Sequence, residues 1–226
     1  MPSVFQYNPL AAGAYTLPDV SRLLGLPQAR LRTWVYGAAG DTCRRMPVGP
    51  IASRSEGRDR HVDFYTLIEL FTVAELRRLG VSMKALRANR AELAERFSTP
   101  YPFALRGLLT DGRYLLKELD EKALLELGSG GQSAFESLIV PFCHRLDFDT
   151  ASHLAARFFP MGRGVPVVVS PNHAFGRPVI VGTNLSTETI ASLVRGGESL
   201  DDIAAEFRLS REHVESAWRF EERRAA

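Results

Sequence analysis

The residues whose chemistry stands out are the arginines between positions 30 and 60. Seven arginines stand against only three carboxylates in this stretch. A guanidinium group keeps its charge and donates several hydrogen bonds in one plane, which suits the oxygens of a phosphate. We therefore expect this part of the chain to bind nucleic acid. The arginines concerned are Arg30, Arg32, Arg44, Arg45, Arg54, Arg58 and Arg60.

Catalytic and metal-binding patterns are weak by comparison. The five histidines (His61, His144, His153, His173 and His213) are scattered, and no HExxH, GxxxxGK[ST] or GxSxG pattern occurs. Cys143 and His144 with His153 could be imagined as a metal cluster, but adjacent residues seldom chelate one tetrahedral zinc. Cys43 and Cys143 lie far apart and are expected to be reduced thiols. We expect a protein that is not an enzyme and that holds no cofactor or metal.

The first arginines lie in a stretch, residues 15–36, that predicts a helix-turn-helix. Thr16 and Asp19 have the spacing of a capping box, which starts a helix. Gly25 ends that helix, and a second one follows Pro27. In the second helix Leu31 and Trp34 are three residues apart and should point inward.

The opposite side of the second helix should face outward and contact DNA. The alternative is a helical hairpin of no special function, because such hairpins are common. With the start of the first helix included, the predicted DNA contacts in this stretch are Thr16, Gln28, Arg30, Arg32, Thr33 and Tyr36.

A glycine- and proline-rich stretch, residues 37–60, follows and carries Arg44, Arg45, Arg54, Arg58 and Arg60. Its glycines and prolines exclude a helix. Residues 46–51 could form a short β ribbon, as in the wing of a winged helix-turn-helix. A solvated arginine-rich loop is the alternative. Two helices are predicted next, one over residues 64–80 and one capped by Ser82.

The order of these elements, with Asp63-Phe64 and the segment LRRLGVSMKAL (residues 76–86), resembles the DNA-binding domain of the MerR family over residues 15–97. The resemblance implies that Arg30 and Arg32 sit where that family touches DNA. Members of the family usually continue into a long helix. Here Pro100 and Pro102 forbid it, so the chain departs from the family at this point.

The middle of the chain, residues 98–163, is predicted to be an α+β connector. Asp111-Gly112 favours a β-hairpin turn between residues 105 and 116. The segment GSGGQ, residues 128–132, is a flexible break, and the alternation over residues 146–160 is too weak to assign.

The C-terminal segment, residues 164–226, is predicted to form a short β ribbon and three helices. The first strand is expected over residues 165–169, and a turn with the second strand over residues 175–183. The helices are expected over residues 187–195, 200–207 and 211–222. The last two helices have helix-turn-helix periodicity. Residues 198–222 nevertheless carry three basic and eight acidic side chains, a balance of −5. Because phosphate contacts supply most non-specific affinity, this helix pair is more suited to a protein partner than to DNA.

This segment resembles a widespread prokaryotic domain of formerly unknown function with the pattern GxPVIxGT (residues 176–183), followed by Ile203-Ala204 in a helix and Leu209-Ser210 in the turn after that helix. The whole chain, with PYPFA and TDGRYL in its middle, resembles VapB-type antitoxins. That resemblance implies a partner that is a PIN-like ribonuclease toxin. Many relatives carry arginine where this chain has Asn184, which puts any contact made by that arginine in doubt. Residues proposed to meet the partner are Arg177, Asn184, Trp218 and Phe220.

Composition sets the remaining bounds on this chain of 226 residues. An apolar fraction of 45% with 24% charged residues is typical of a globular protein. Residues 1–100 have 14 basic and 9 acidic side chains, a balance of +5, whereas residues 101–226 have a balance of −3. This split indicates two halves with different partners. No apolar run reaches bilayer length and no signal-peptide pattern begins the chain, so we expect a cytoplasmic protein without a membrane partner.

The sequence thus predicts a mainly α fold with small β elements. Its parts are an N-terminal arm (1–14), a MerR-like winged helix-turn-helix (15–97), a middle α+β region (98–163) and a C-terminal three-helix domain with a short β ribbon (164–226). The predicted function is that of a type II antitoxin, which binds its toxin and, as a homodimer, an inverted repeat in its own operator DNA. The alternatives are a one-component transcription regulator with a small-molecule pocket after residue 100, and a structural adaptor. An operator affinity that depends on a ligand would favour the transcription regulator. Binding to duplex DNA without sequence preference would favour the structural adaptor.

Overall fold

The computed structural model describes residues 14–36, 61–78, 80–105 and 144–225. In these ranges the chain is mainly helical, with two small antiparallel sheets of two strands each. This confirms the predicted fold class in its coarse form. The predicted arm up to residue 13, the predicted wing (37–60) and the predicted hairpin and flexible break of the middle region (106–143) lie outside the described residues.

Two short helices, α1 (Leu17–Leu24) and α2 (Gln28–Tyr36), pack on each other at the start of the described chain. The Thr16 hydroxyl accepts the Asp19 backbone N–H at 3.3 Å, and the Asp19 carboxylate accepts the Thr16 N–H at 3.0 Å. Gly25 ends α1 with a φ of 65°, a conformation that favours glycine. Both helices lie where the capping box and the glycine predict them.

Helices α3 (Phe64–Arg78) and α4 (Met83–Arg96) follow, and a 3₁₀ turn (Pro102–Ala104) ends this part. Helix α3 is buried along almost its whole length, including its polar residues Thr66, Glu69 and Thr72. Ser82 caps α4 by accepting the Ala85 N–H at 3.2 Å. Val81 and Leu86, on either side of that cap, are both buried, as in a hydrophobic staple at the start of a helix.

Buried polar contacts fasten the segment after α4 to helix α3. The Glu69 carboxylate receives a hydrogen bond from the Phe103 N–H at 3.3 Å and pairs with Arg90 at 3.0 Å. The Tyr101 hydroxyl donates to Asp63 at 2.7 Å. Burial raises the pKa of Glu69 to about 7, against the opposing effect of Arg90. The chain after Pro100 is therefore held against α3 by specific bonds.

The stretch that the sequence left unassigned forms a β-hairpin of β1 (Leu146–Phe148) and β2 (Ala155–Phe158), with Leu146 opposite Phe158. The second sheet pairs β3 (Val167–Val168) with β4 (Val179–Ile180). Both strands of this sheet fall inside the predicted ribbon but are shorter than predicted. A bridge between Phe158 and Val169 links the two sheets.

Three helices complete the chain: α5 (Thr187–Arg195), α6 (Leu200–Phe207) and α7 (Arg211–Ala225). Serine caps start the first two, at Ser186 and Ser199, and the three helices enclose a core that includes Ile190, Ile203 and Val214. All three lie where the periodicity predicts them, and α7 runs three residues further than expected.

The buried cluster of the N-terminal helices continues into the C-terminal part. The Phe71 ring lies 4.8 Å from the Phe158 ring, and Val167 and Phe220 belong to the same cluster as Leu31 and Trp34. The packing therefore joins residues that are far apart in sequence. The predicted domain boundaries at residues 97 and 163 stay a prediction.

Candidate nucleic-acid and partner interfaces

Helix α2 presents the predicted DNA contacts on one side and its apolar residues on the other. Gln28, Arg30, Arg32 and Thr33 are exposed, and Tyr36 is half-buried. The inward side carries Leu31, Val35 and Trp34, the last only 8% exposed. This is the division that the spacing predicts.

The two arginines of α2 carry uncompensated charge within the described residues. No carboxylate in that part of the chain pairs with Arg30 or Arg32, whereas Arg22 on α1 pairs with Asp19 at 2.5 Å. Thr33 has a local role as well, since its hydroxyl donates to the Ala29 carbonyl at 3.0 Å. An exposed pair of free guanidinium groups on one helix can meet an anionic surface without first breaking an ion pair.

Thr16 has a structural role at the start of α1. Its hydroxyl donates to the Asp19 carboxylate at 2.6 Å, in addition to capping the helix. Burial raises the pKa of Asp19, but the hydrogen bonds from Thr16 and the contact with Arg22 outweigh it and leave that pKa below its usual range. A DNA contact by Thr16 would have to share this hydroxyl with the cap.

A backbone bridge lies just after the segment that is predicted to be the wing (37–60). Tyr15 and Val62 form an antiparallel bridge, with N–H to oxygen distances of 2.8 and 2.7 Å. This bridge ties residue 62, just after the segment, to the start of α1. The wing arginines Arg44, Arg45, Arg54, Arg58 and Arg60 themselves lie outside the described residues.

Tyr15 also brings a buried hydroxyl to this region. The ring is buried, and the hydroxyl has no hydrogen-bond partner among the residues that the structure describes. Burial, with the nearby carboxylates of Asp63 and Asp19, raises the pKa of Tyr15 far above its ordinary value. The phenol therefore stays neutral and serves the packing beneath α1.

The four predicted partner residues fall into different environments. Arg177 and Asn184 are exposed. Trp218 is half-buried, and the Arg195 guanidinium lies 5.4 Å from its ring centre. Phe220 is 4% exposed and belongs to the large buried cluster, so its ring packs inside the chain instead of facing a partner. The expectation that Phe220 is a surface anchor overlooked that its side of α7 faces the core.

A cleft of about 280 Å³ separates α1 from the C-terminal part. Asp19 and Arg22 line one side, and the turn around Phe175 and Arg177 lines the other. Phe175 is the most exposed large hydrophobic residue of the described chain, at 84%. The sequence places Phe175 in a turn and gives no sign of its exposure, because a single exposed aromatic residue leaves no periodic signal.

The described residues contain no group of three or more histidine, cysteine, aspartate or glutamate side chains arranged to hold a metal ion. None of their helices is both long and apolar enough to cross a membrane.

Comparisons with known proteins bear on the whole chain and on its C-terminal part. Residues 167–220 match the model of a family described as "Protein of unknown function (DUF433)". The chain is 23% identical over 219 residues to the Mycobacterium tuberculosis protein named "Putative antitoxin VapB45", which covers 90% of this chain and 91% of that protein. It is 27% identical over 216 residues to "Uncharacterized protein Rv2308" of the same organism, covering 90% and 87%.

The fold also has a solved counterpart. The X-ray crystal structure of Rv2018 from Mycobacterium tuberculosis superimposes with a TM-score of 0.70, at 22% identity, over 90% of this chain and 96% of that one. At this identity the likeness concerns the fold alone. The chain is therefore similar over most of its length to a protein that is named as a putative antitoxin. The MerR-like character of the N-terminal part stays a prediction.

Proposed function

We propose that the chain is the antitoxin of a type II toxin–antitoxin system, acting in the cytoplasm and without enzymatic activity of its own. The observation that carries this proposal is the similarity to VapB45 over 90% of the chain, since it extends well beyond the matched C-terminal domain. In this proposal the chain binds and neutralises a PIN-like ribonuclease and, as a homodimer, represses its own promoter.

The toxin-binding surface is proposed to lie in the C-terminal part. This part contains the family match, and its helices α6 and α7 carry exposed carboxylates, including those of Asp201, Asp202, Glu206 and Glu212. An acidic surface repels the phosphates of DNA but suits a basic protein partner.

Co-expression tests this half of the proposal. The chain and the protein encoded by the adjacent reading frame are produced together, with an affinity tag on the neighbour only. We expect both to elute as one complex of defined stoichiometry. A neighbour that is a PIN-like ribonuclease but elutes without the chain would contradict the proposal.

The operator-binding surface is proposed to be the outward side of α2. Support comes from the exposure of Arg30 and Arg32, from their lack of an ion-pair partner in the described chain, and from the buried residues Leu31 and Trp34 that fix the helix beneath them. The N-terminal residues of a helix with this arrangement can reach base edges and phosphates in a major groove.

Fluorescence anisotropy with duplexes from the chain's own promoter tests this second half. We expect binding that prefers one site and weakens steeply with salt, because each phosphate contact releases a counterion. Equal affinity for the promoter and for a scrambled duplex would favour the adaptor alternative and count against the operator role.

A further inference from the structure

Phe175 stands apart from every other large apolar side chain of the described residues. Its exposed fraction is 84%, whereas the next most exposed, Phe97, Met161 and Val181, reach 36–37%. A single exposed apolar side chain is ordinary on a protein surface. The backbone conformation at Phe175, by contrast, is unusual.

Three consecutive residues in the turn, Ala174, Phe175 and Gly176, have positive φ angles of 47°, 55° and 81°. Only glycine adopts this conformation without cost, so the first two residues are held against their preference. Two hydrogen bonds hold the turn, from the Gly176 N–H to the His173 carbonyl at 2.9 Å and from the Arg177 N–H to the Ala174 carbonyl at 3.1 Å. The chain thus accepts backbone strain in a turn that presents the ring to solvent.

The residues that flank and support the turn are held by burial and by hydrogen bonds. Gly176 and Pro178 are buried, and the Pro178 carbonyl accepts the Thr187 N–H at 3.0 Å. The buried Thr187 hydroxyl in turn donates to the Glu221 carboxylate of α7 at 2.5 Å. An aromatic side chain has few rotatable bonds. Because the backbone of the turn is also fixed, the Phe175 ring loses little conformational entropy when a partner covers it.

The charge beside the ring indicates the chemistry of that partner. Arg177 is exposed, follows the turn directly and has no ion-pair partner among the described residues. On the far side of the cleft the positive charge of Arg22 is already matched by Asp19. The carboxylate of Glu188, which is also exposed, lines the same cleft. The surface around Phe175 therefore offers one apolar ring and, next to it in the chain, one arginine without an ion-pair partner in the described residues.

We propose that Phe175 is the anchor by which the chain binds its toxin. The ring enters an apolar pocket of the toxin, and Arg177 pairs with a carboxylate at the rim of that pocket. This inference rests on the proposed antitoxin function and adds to it the residue that carries the binding.

The substitution Phe175→Gly in the full chain tests the anchor. Isothermal titration with the toxin of the adjacent reading frame should show a Kd raised by about 30-fold or more, the effect of truncating an interface aromatic that dominates binding. The melting temperature should stay the same or rise, because glycine relieves the strain at this φ. Val181→Ala is the matched control, an exposed apolar residue beside β4, and should leave the Kd within about twofold of the wild type.

Each outcome decides between distinct possibilities. If Phe175→Gly binds the toxin as tightly as the wild type, the anchor is wrong while the antitoxin function stands. If the wild-type chain itself does not bind the toxin, the proposed function and the anchor both fall. If Phe175→Gly instead converts a dimer of the free chain into a monomer, the ring is covered by a second copy, and the toxin is not its partner. Operator binding should be the same in wild type and variant.

Discussion

Trp34 and Arg32 lie two residues apart on α2 but should respond to mutation in opposite ways. The Trp34 ring is buried in the N-terminal cluster, and Arg32 is exposed without an ion-pair partner in the described chain. Replacing a buried tryptophan by alanine costs about 3–5 kcal/mol of unfolding free energy. In a chain of this length each kcal/mol lowers the melting temperature by roughly 2–4 °C. Trp34→Ala should therefore melt about 6–20 °C below the wild type.

Arg32→Ala should leave stability almost unchanged, since exposed substitutions typically stay within about 0.5 kcal/mol. It should instead weaken operator binding by roughly 5- to 150-fold, the range for one lost base or phosphate contact of 1–3 kcal/mol. If Arg32 contacts phosphate, the slope of log K against log salt should also fall by about one. Arg219→Ala removes the same charge from α7, where the side chain is 74% exposed and paired with Glu215, and serves as the control.

Calorimetry and fluorescence anisotropy on the three variants separate these effects. Equal losses of melting temperature in Trp34→Ala and Arg32→Ala would refute the division of α2 into a packed and a binding side. Equal losses of DNA affinity in Arg32→Ala and Arg219→Ala would refute the placement of the DNA surface on α2.

Three other predictions concern pH, capping and assembly. The pKa of Glu69 is raised by burial to about 7 in the folded chain, so the stability it contributes is present below about pH 4.5 and lost as pH rises through 7. That loss of unfolding free energy is about 3 kcal/mol. Urea unfolding at several pH values should show the loss in the wild type and not in Glu69→Gln. An identical pH profile in both proteins would exclude Glu69 as the source of the pH dependence. Thr16→Ala should lower the unfolding free energy by about 1 kcal/mol, because the helix cap is lost, while operator affinity changes little. A large loss of operator affinity at unchanged stability would instead indicate that Thr16 contacts DNA. Footprinting should show protection of two half-sites in an inverted repeat, because one recognition helix covers too few base pairs; protection of a single half-site would argue for a monomer.

The helices were predictable because their signals are local. A capping box, a glycine stop and apolar residues three or four apart fix α1, α2 and the last three helices without reference to the rest of the chain. The buried side of α2, with Leu31 and Trp34, followed from the same spacing.

The features that the sequence did not predict depend on contacts between distant residues. The β1–β2 hairpin is short and bulged between Asp147 and Phe148, so its alternation is hidden. The burial of Phe220 follows from the joining of the N-terminal cluster to α7, which no local pattern records. The exposure of Phe175 comes from a left-handed turn, and neither Ala174 nor Phe175 is a residue type that favours that conformation.

Titration of the toxin's ribonuclease activity tests the antitoxin function most directly. The purified product of the adjacent reading frame is assayed on an RNA substrate while the full chain is added in increasing amounts. We predict that cleavage falls in proportion to the added chain and stops once the chain matches the toxin at the stoichiometry of their complex. Undiminished cleavage in the presence of a large excess of folded chain would contradict the function proposed.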